Sequence, residues 1–343
     1  MPQHVKKFLP ATLKENVKSF GYRVADSLLH IVEPLMGTFF SFYGRPIYAD
    51  SIWIDQREAT RDYSEYAIIM QGPIKTRNNF TLESLKLYKK YFNNALIILS
   101  TWEGEDTHTL NGARKIGVEV ILNKMPAPGL FNVNLQLTTT RTGLALATKM
   151  NKKYSLKTRT DQRIYHIRSL TFLSNLLKDF PLSIPRSKQK GRLIALGAYD
   201  PATKSKLYHV YDNLIFGLTE DVLLYFGADF ISDKPEIEFL KARYPDCPFT
   251  VEIYFFTEFL KKVGHELKYT PEDSLRAFAT HCILVDPRSL GWYWYKYFRF
   301  TRDQNMSVTY RNRVHIGFVE WLNLYNSYQQ DKDLNCCLGA VHK

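Results

Sequence analysis

Between Tyr66 and Thr160 the sequence alternates short apolar runs with amphipathic stretches, and no other feature restricts the fold as tightly. Tyr66–Met70, Ala95–Ser100 and Val118–Leu122 are compact apolar runs that read as buried strands, with a fourth strand at Tyr154–Thr160. Helical spacing fills the gaps at Thr81–Phe92, Asp106–Ile116 and Asn132–Met150, the last after a turn containing Pro126, Pro128 and Gly129. Strand–helix alternation with short connections builds an α/β domain with a mainly parallel sheet and helices on both faces. In such a sheet ligands bind beyond the carboxyl ends of the strands.

Flanking segments are sparser. Leu13, Val17, Phe20, Val24, Leu28, Ile31 and Leu35 follow steps of three and four, which predicts an N-terminal amphipathic helix ending near Pro34. Such a helix lies on an anionic membrane, packs on its own domain or meets a second subunit of a homo-oligomer. An irregular arm follows to about residue 62. Further on, a helix is expected at Ile167–Lys178, a strand at Leu193–Ala198, a helix at Thr250–Val263 and a last amphipathic helix over Val314–Tyr328, with a mobile tail after Asp331. The expected division is an arm over 1–62, a catalytic domain over 63–300 and a C-terminal helix and tail over 301–343.

Composition narrows the class. The 343 residues are 45 % hydrophobic, enough for a packed core. No apolar run has the length of a membrane span, and Lys14, Glu15 and Lys18 interrupt any signal-like segment, so a cytoplasmic location is expected. Cys247, Cys282, Cys336 and Cys337 lack zinc or CxxC spacing and are expected as thiols. A net charge of +12 calls for an anionic partner: a phosphorylated small molecule, a membrane surface or a nucleic acid. Walker, GxSxG, HExxH and Rossmann signatures are absent, which removes the common ATPase, hydrolase, zinc-protease and dinucleotide-binding classes.

The fourth strand ends in an unusual way. Strand alternation puts Lys157, Arg159 and Asp161 on one face, where central parallel strands normally carry Val, Ile and Leu. Buried charges there either pair with neighbouring elements or line a site for a charged ligand. The preceding helix adds a polar stripe of Asn134, Thr138 and Arg141, facing solvent or the same cleft. Gln71, Gly72 and Pro73 close the first strand, with Arg77 just beyond, and Thr101, Trp102 and Glu103 close the second, so polar groups gather where a nucleotide would lie.

Met70-Gln-Gly-Pro73, Ser100-Thr-Trp-Glu103, Gly129-Leu-Phe-Asn-Val-Asn134, Thr140-Arg141 followed by Gly143, and Leu156-Lys-Thr-Arg-Thr-Asp-Gln162 carry a resemblance to the WavE-type lipopolysaccharide synthesis proteins, from about Tyr66 to Lys296. The resemblance implies a GT-A-like fold and a glycosyltransferase that moves a sugar from a nucleotide-sugar donor to a lipid-linked or oligosaccharide acceptor of a bacterial surface glycan. The location it implies is the cytoplasmic face of the inner membrane, and nucleic acid is not expected as a partner. Donor contacts would come from Gln71, Gly72, Pro73, Arg77, Trp102, Asn134, Arg141, Lys157, Arg159, Asp161, Gln162 and Lys296.

In that fold an Asp-x-Asp pair after the fourth strand holds Mn²⁺ or Mg²⁺ against the donor diphosphate. Here only Asp161 matches, because Arg159 and Arg163 stand two residues to either side. Asp161 with Gln162 is the expected holder of a divalent cation; the alternative has Arg141, Arg159 and Arg163 neutralise the diphosphate. Two carboxylates are candidates for the base that takes the acceptor proton, Asp212 and Glu252. Each has a plainer role, Asp212 capping a turn and Glu252 complementing a helix dipole.

Seven aromatics interleave with Lys296 and Arg299 between Leu290 and Phe300, a pattern that fits core packing, sugar stacking or a membrane interface. Lys296 could also reach the donor phosphates. His281 and His315 have no ligand spacing. Two rival functions use the same residues: a nonenzymatic polyanion- or nucleic-acid-binding module with the aromatic stretch as platform, or a degenerate transferase acting as scaffold.

Overall fold

The structure is a computed structural model that describes residues 11–37, 44–184, 187–201, 206–232, 250–296 and 315–328. It divides into two compact units, Met1–Arg45 and Pro46–Lys343. Among its described residues the first holds one helix, α1 (Ala11–Met36), followed by Gly37 at φ 60°, the left-handed conformation in which helices commonly end.

The second unit opens with a short arm and one helical turn, α2 (Gln56–Ala59), capped by Asp55, whose side chain accepts from the Arg57 N–H. Then come β1 (Tyr66–Gln71), α3 (Phe80–Tyr91), β2 (Leu96–Trp102), α4 (Thr107–Lys115), β3 (Glu119–Asn123), α5 (Val133–Lys149) and β4 (Tyr154–Arg159). β5 (Gln162–Arg163), α6 (Ser169–Asp179), β6 (Leu193–Ala195), β7 (Ala198–Tyr199), β8 (Ile215–Leu218) and α7 (Thr219–Tyr225) follow. The described chain closes with α8 (Val251–Lys262), α9 (Pro271–His281), β9 (Cys282–Leu284), β10 (Tyr293–Trp294), β11 (His315–Ile316) and a helix over 318–328.

Seven strands form one mixed sheet in the order β3-β2-β1-β4-β8-β6-β9, parallel throughout except for β8, which runs antiparallel to β4 and β6. The chain moves outward from β1 to β3 through α3 and α4, then returns through α5 to β4 on the other side of β1. Right-handed crossovers travelling in opposite directions put their helices on opposite faces. The expected α/β architecture with helices on both faces is therefore what forms. α5 lies close on β1 because of Gly143, where an added Cβ would stand 2.4 Å from Ile69 Cγ2.

Several boundaries differ from expectation. The strand expected at Leu193–Ala198 stops at Ala195, because Gly197 at φ 93° turns the chain before it pairs again as β7 with β11. The arm expected to reach residue 62 divides at Arg45. Beyond it, buried Ala49 donates its N–H to Glu83 Oε2 at 2.8 Å, and Ile47 accepts from Arg163 at 2.7 Å, so this stretch packs within the larger unit. The C-terminal helix belongs to the same unit: Trp321 is fully buried, with Phe180 edge-on at 5.0 Å and its indole donating to the Phe278 carbonyl at 3.3 Å. Val314, the aromatics at 297–300, the tail after Asp331, and Cys247, Cys336 and Cys337 lie outside the described residues. Cys282 is a buried thiol in β9, its pKa pushed far up by burial.

Candidate functional site

The crossovers from β1 lead toward β2, while β4 lies on its other side. The carboxyl ends of β1 and β4, where the strand order reverses, mark the crevice position at which α/β sheets bind ligands. Gln71 and Arg159 are neighbours across that pair. Gly72 turns the chain at φ 110°, where a side chain would be strained, and donates its N–H to Ser100 O at 3.1 Å. The floor is a knit polar layer: Thr139 donates to Gln71 Oε1 at 2.8 Å, Thr160 to Pro73 O at 2.6 Å, and Asn123 to Ser100 Oγ at 3.0 Å. Trp102, at the end of β2, is buried.

The charged face of β4 resolves into two parts. Lys157 is fully buried, donates to the Asp212 carbonyl at 2.5 Å and sits 5.2 Å from the Phe226 ring centre. Burial pulls its pKa down to about 8, against the attraction of Asp212. At the strand end Arg159 grips Asp161 with two bonds, Nε to Oδ1 at 2.9 Å and Nη2 to Oδ2 at 3.1 Å. Burial alone would raise the Asp161 pKa; the Arg159 hydrogen bonds and charge, with Trp294 and Lys75 adding, hold it below the ordinary carboxylate value.

That pairing bears on the expected divalent cation. Both Asp161 oxygens already receive a guanidinium, and the flanking positions supply arginines. Among the described residues no group of three His, Cys, Asp or Glu side chains could hold a metal ion. As folded, the donor set suits an arginine–carboxylate pair and does not fit a carboxylate-held cation.

The two candidate bases, forty residues apart in sequence, meet beside Lys157. Gln136 of α5 donates to Asp212 Oδ2. Glu252, in the first turn of α8, lies 3.7 Å from His209 Nε2 and its side chain stays 28 % exposed, so a ligand can reach it. Burial and then the charge of Asp212 raise the Glu252 pKa to about 7, with the Thr250 hydroxyl and Lys206 opposing. The buried phenol of Tyr225 faces the same two carboxylates, and burial raises its pKa well above the ordinary value. A half-buried carboxylate that titrates near neutrality is suited to taking a proton from a hydroxyl.

Other expected contacts are occupied elsewhere. Asn134 spends both amide donors on Ala127 O at 3.0 Å and Ile231 O at 2.8 Å, and its oxygen accepts from Ile231 N at 2.9 Å. Arg141 binds the carbonyls of Phe226, at 2.7 Å, and Ala228. These two positions of the expected polar stripe thus clamp the segment after α7. Arg163, buried, gives its donors to Ser84 at 2.8 Å, Ile47 at 2.7 Å and Phe80 at 2.9 Å. Both arginines are thus engaged with backbone carbonyls or hydroxyls, Arg163 from within the core and Arg141 from a half-buried position. Gln162 is buried opposite Trp294 in the β5–β10 ladder, with Nε2 facing no acceptor. Arg77 and Lys296 are exposed.

Trp292 and Trp294 are buried and pack in the core, while Tyr293 and Tyr295 between and beside them are partly exposed. His281 hydrogen-bonds His265 at 3.1 Å and Gln189 at 2.7 Å, away from the crevice. His315 stacks on Tyr211 at 5.5 Å.

The chain matches the WavE lipopolysaccharide synthesis family over residues 66–337. It belongs to that family. No curated protein matches it. Among solved structures it is similar to a mannose-1-phosphate geranyltransferase from Thermus thermophilus (14 % identity, 39 % of this chain and 41 % of that one, TM-score 0.25). It is likewise similar to a cytidylyltransferase from Leptospira borgpetersenii (14 %, 59 % and 98 %, TM-score 0.29). HddC from Yersinia pseudotuberculosis, complexed with GMP-PN, is comparable (13 %, 58 % and 96 %, TM-score 0.27). This chain therefore spans about two-fifths of the first of these proteins. No described helix is long and apolar enough to cross a membrane.

Three neighbours of the candidate carboxylates carry no sequence signal. Gln136 lies on α5, Tyr225 on α7 and His209 in the loop before β8, in no shared motif, and they come near Asp212 or Glu252 only in the folded chain. Gln136 sits two residues from the polar stripe of α5, which was the nearest clue.

Proposed function

We propose that this WavE-family protein is a glycosyltransferase that moves a sugar from a nucleotide-sugar donor, held in a GT-A-like crevice beyond β1 and β4, to a hydroxyl of a surface-glycan acceptor. Glu252 is the base. One observation carries the proposal: a reachable carboxylate whose pKa, raised to about 7, equips it to accept a proton at neutral pH.

In the reaction the acceptor O–H proton passes to Glu252 as the hydroxyl oxygen attacks the anomeric carbon. The bond from that carbon to the donor diphosphate breaks, and its electron pair leaves with the nucleoside diphosphate. A single displacement of this kind inverts configuration. Lys157 supplies fixed positive charge beneath the crevice, and Arg77 and Lys296 supply it from solvent. Asp212 keeps the Glu252 pKa high, and Arg159 fixes Asp161 as a hydrogen-bonding wall for the donor. No step runs through a protein-held cation.

Thermal-shift titration with a panel of sugar nucleotides tests this, because a ligand specific for the folded state raises the melting temperature. The expected result is one stabilising donor, with Glu252→Gln binding it as wild type does while turnover falls at least about 100-fold. A panel without any stabilising donor, or a Glu252→Gln variant with wild-type turnover, would overturn the proposal.

A further inference from the structure

Helix α1 carries a pattern the transfer reaction does not use. Leu13, Val24 and Leu35 are spaced by eleven residues, as are Val17 with Leu28 and Phe20 with Ile31. At about 100° per residue these seven positions fall in an arc of about 80°. An eleven-residue repeat, near 3.67 residues per turn, keeps such a stripe almost straight along the helix. The stripe is open: Phe20 is 70 % exposed, Val24 44 %, Leu28 59 %, Ile31 65 % and Leu35 83 %.

Charge is segregated around it. Arg23 lies about 100° from the stripe centre on one side, and by helical register Lys14 and Lys18 lie about 80–120° away on the other. The acids Glu15, Asp26 and Glu33 fall on the opposite pole, about 160–180° away. By register, basic positions thus border the apolar stripe and acidic positions occupy the opposite pole. A flat surface that is apolar inside and anionic at its rim complements that distribution, since the stripe enters the lipid while the bordering cations meet headgroups. A second copy of α1 does not complement it, because both flanks are basic and any face-to-face pairing opposes like charges. No described helix is apolar enough to span, so insertion across the bilayer is not the alternative.

We propose that α1 is an interfacial helix that docks this protein on the surface of an anionic lipid bilayer. The test is vesicle flotation of the full chain, with phosphatidylcholine vesicles and with phosphatidylcholine–phosphatidylglycerol vesicles. Wild type is expected to float with the anionic vesicles and to release at high salt. The double variant Leu28→Glu, Ile31→Glu is expected to lose at least about tenfold in partitioning, and Arg23→Glu about fivefold, each with the melting transition of the larger unit unchanged. Failure of wild type to float, equal flotation on neutral vesicles, or equal flotation of the double variant would overturn the proposal. So would sedimentation showing a dimer that the double variant dissociates while neither protein binds vesicles.

Discussion

Two acids of the same unit have opposite fates. Asp273, in the first turn of α9, accepts from the Tyr208 hydroxyl at 2.5 Å and the Lys268 N–H at 3.1 Å, pairs with Arg276, and has His265 at 3.3 Å. Burial works to raise its pKa, yet these donors together hold it below the ordinary value. Glu252, in the first turn of α8, is raised to about 7 by burial and by the charge of Asp212, which outweigh its own backbone N–H, the Thr250 hydroxyl and Lys206. Helix position is shared; Asp273 is fully buried among donors, whereas Glu252 stays 28 % exposed beside another carboxylate. A carboxylate furnished with donors serves the fold, and one set beside a like charge holds its proton at neutral pH and can exchange it.

The comparison breaks most visibly in turnover. Glu252→Gln should cost at least about 100-fold in kcat, whereas Asp273→Asn should leave kcat per folded molecule unchanged. In wild type, kcat/KM should rise with pH through about 7 and level off above, since the base works deprotonated. Asp212→Asn removes the neighbouring charge, so that rise should move to lower pH; a profile that stays in place would separate the two carboxylates.

Stability should diverge next. Asp273→Asn should lower stability by about 2 kcal/mol, read by urea titration, because it strands a buried phenol and a guanidinium. The lowered pKa of Asp273 means that its contribution is present above the ordinary value of 3.8 and is lost as pH falls through the folded value. The sign reverses at Glu252, where a raised pKa makes ionisation oppose folding as pH climbs from 4.5 to about 7. Glu252→Gln should therefore melt higher than wild type at pH 8 and near wild type at pH 5. The smallest effect expected is that of a chelator, which should leave turnover within about twofold because Asp161 is held by Arg159.

Much of the architecture was legible. The strands from Tyr66 to Thr160 and their helices announce themselves by period, because each element must present one continuous apolar face to a shared core. β8 and β9 escaped notice: Ile215–Leu218 and Cys282–Leu284 are too short for periodicity to separate strand from turn. α9 had a usable mark, with Thr270 as cap and Pro271 at its first position. At the site, Lys157 and Asp161 stand out as charges on an interior strand, and Asp212 and Glu252 come from the family resemblance, but the same reading ranks Asn134, Arg141 and Arg163 with them. Polar residues that clamp backbone carbonyls look the same in sequence as polar residues that await a ligand.

Sequence by itself determined the α/β class, the family, the charged end of β4 and the segregated faces of α1, since each is written in neighbouring residues at a fixed helical or strand spacing. Only the tertiary structure decided that Asp212 and Glu252 share one site, that Arg159 occupies Asp161, and that the pKa of Asp273 is lowered by its donors where that of Glu252 is raised. The physical reason is that a pKa and a free donor depend on desolvation and on partners brought from distant segments, and the sheet order sets both only once β8 has inserted beside β4.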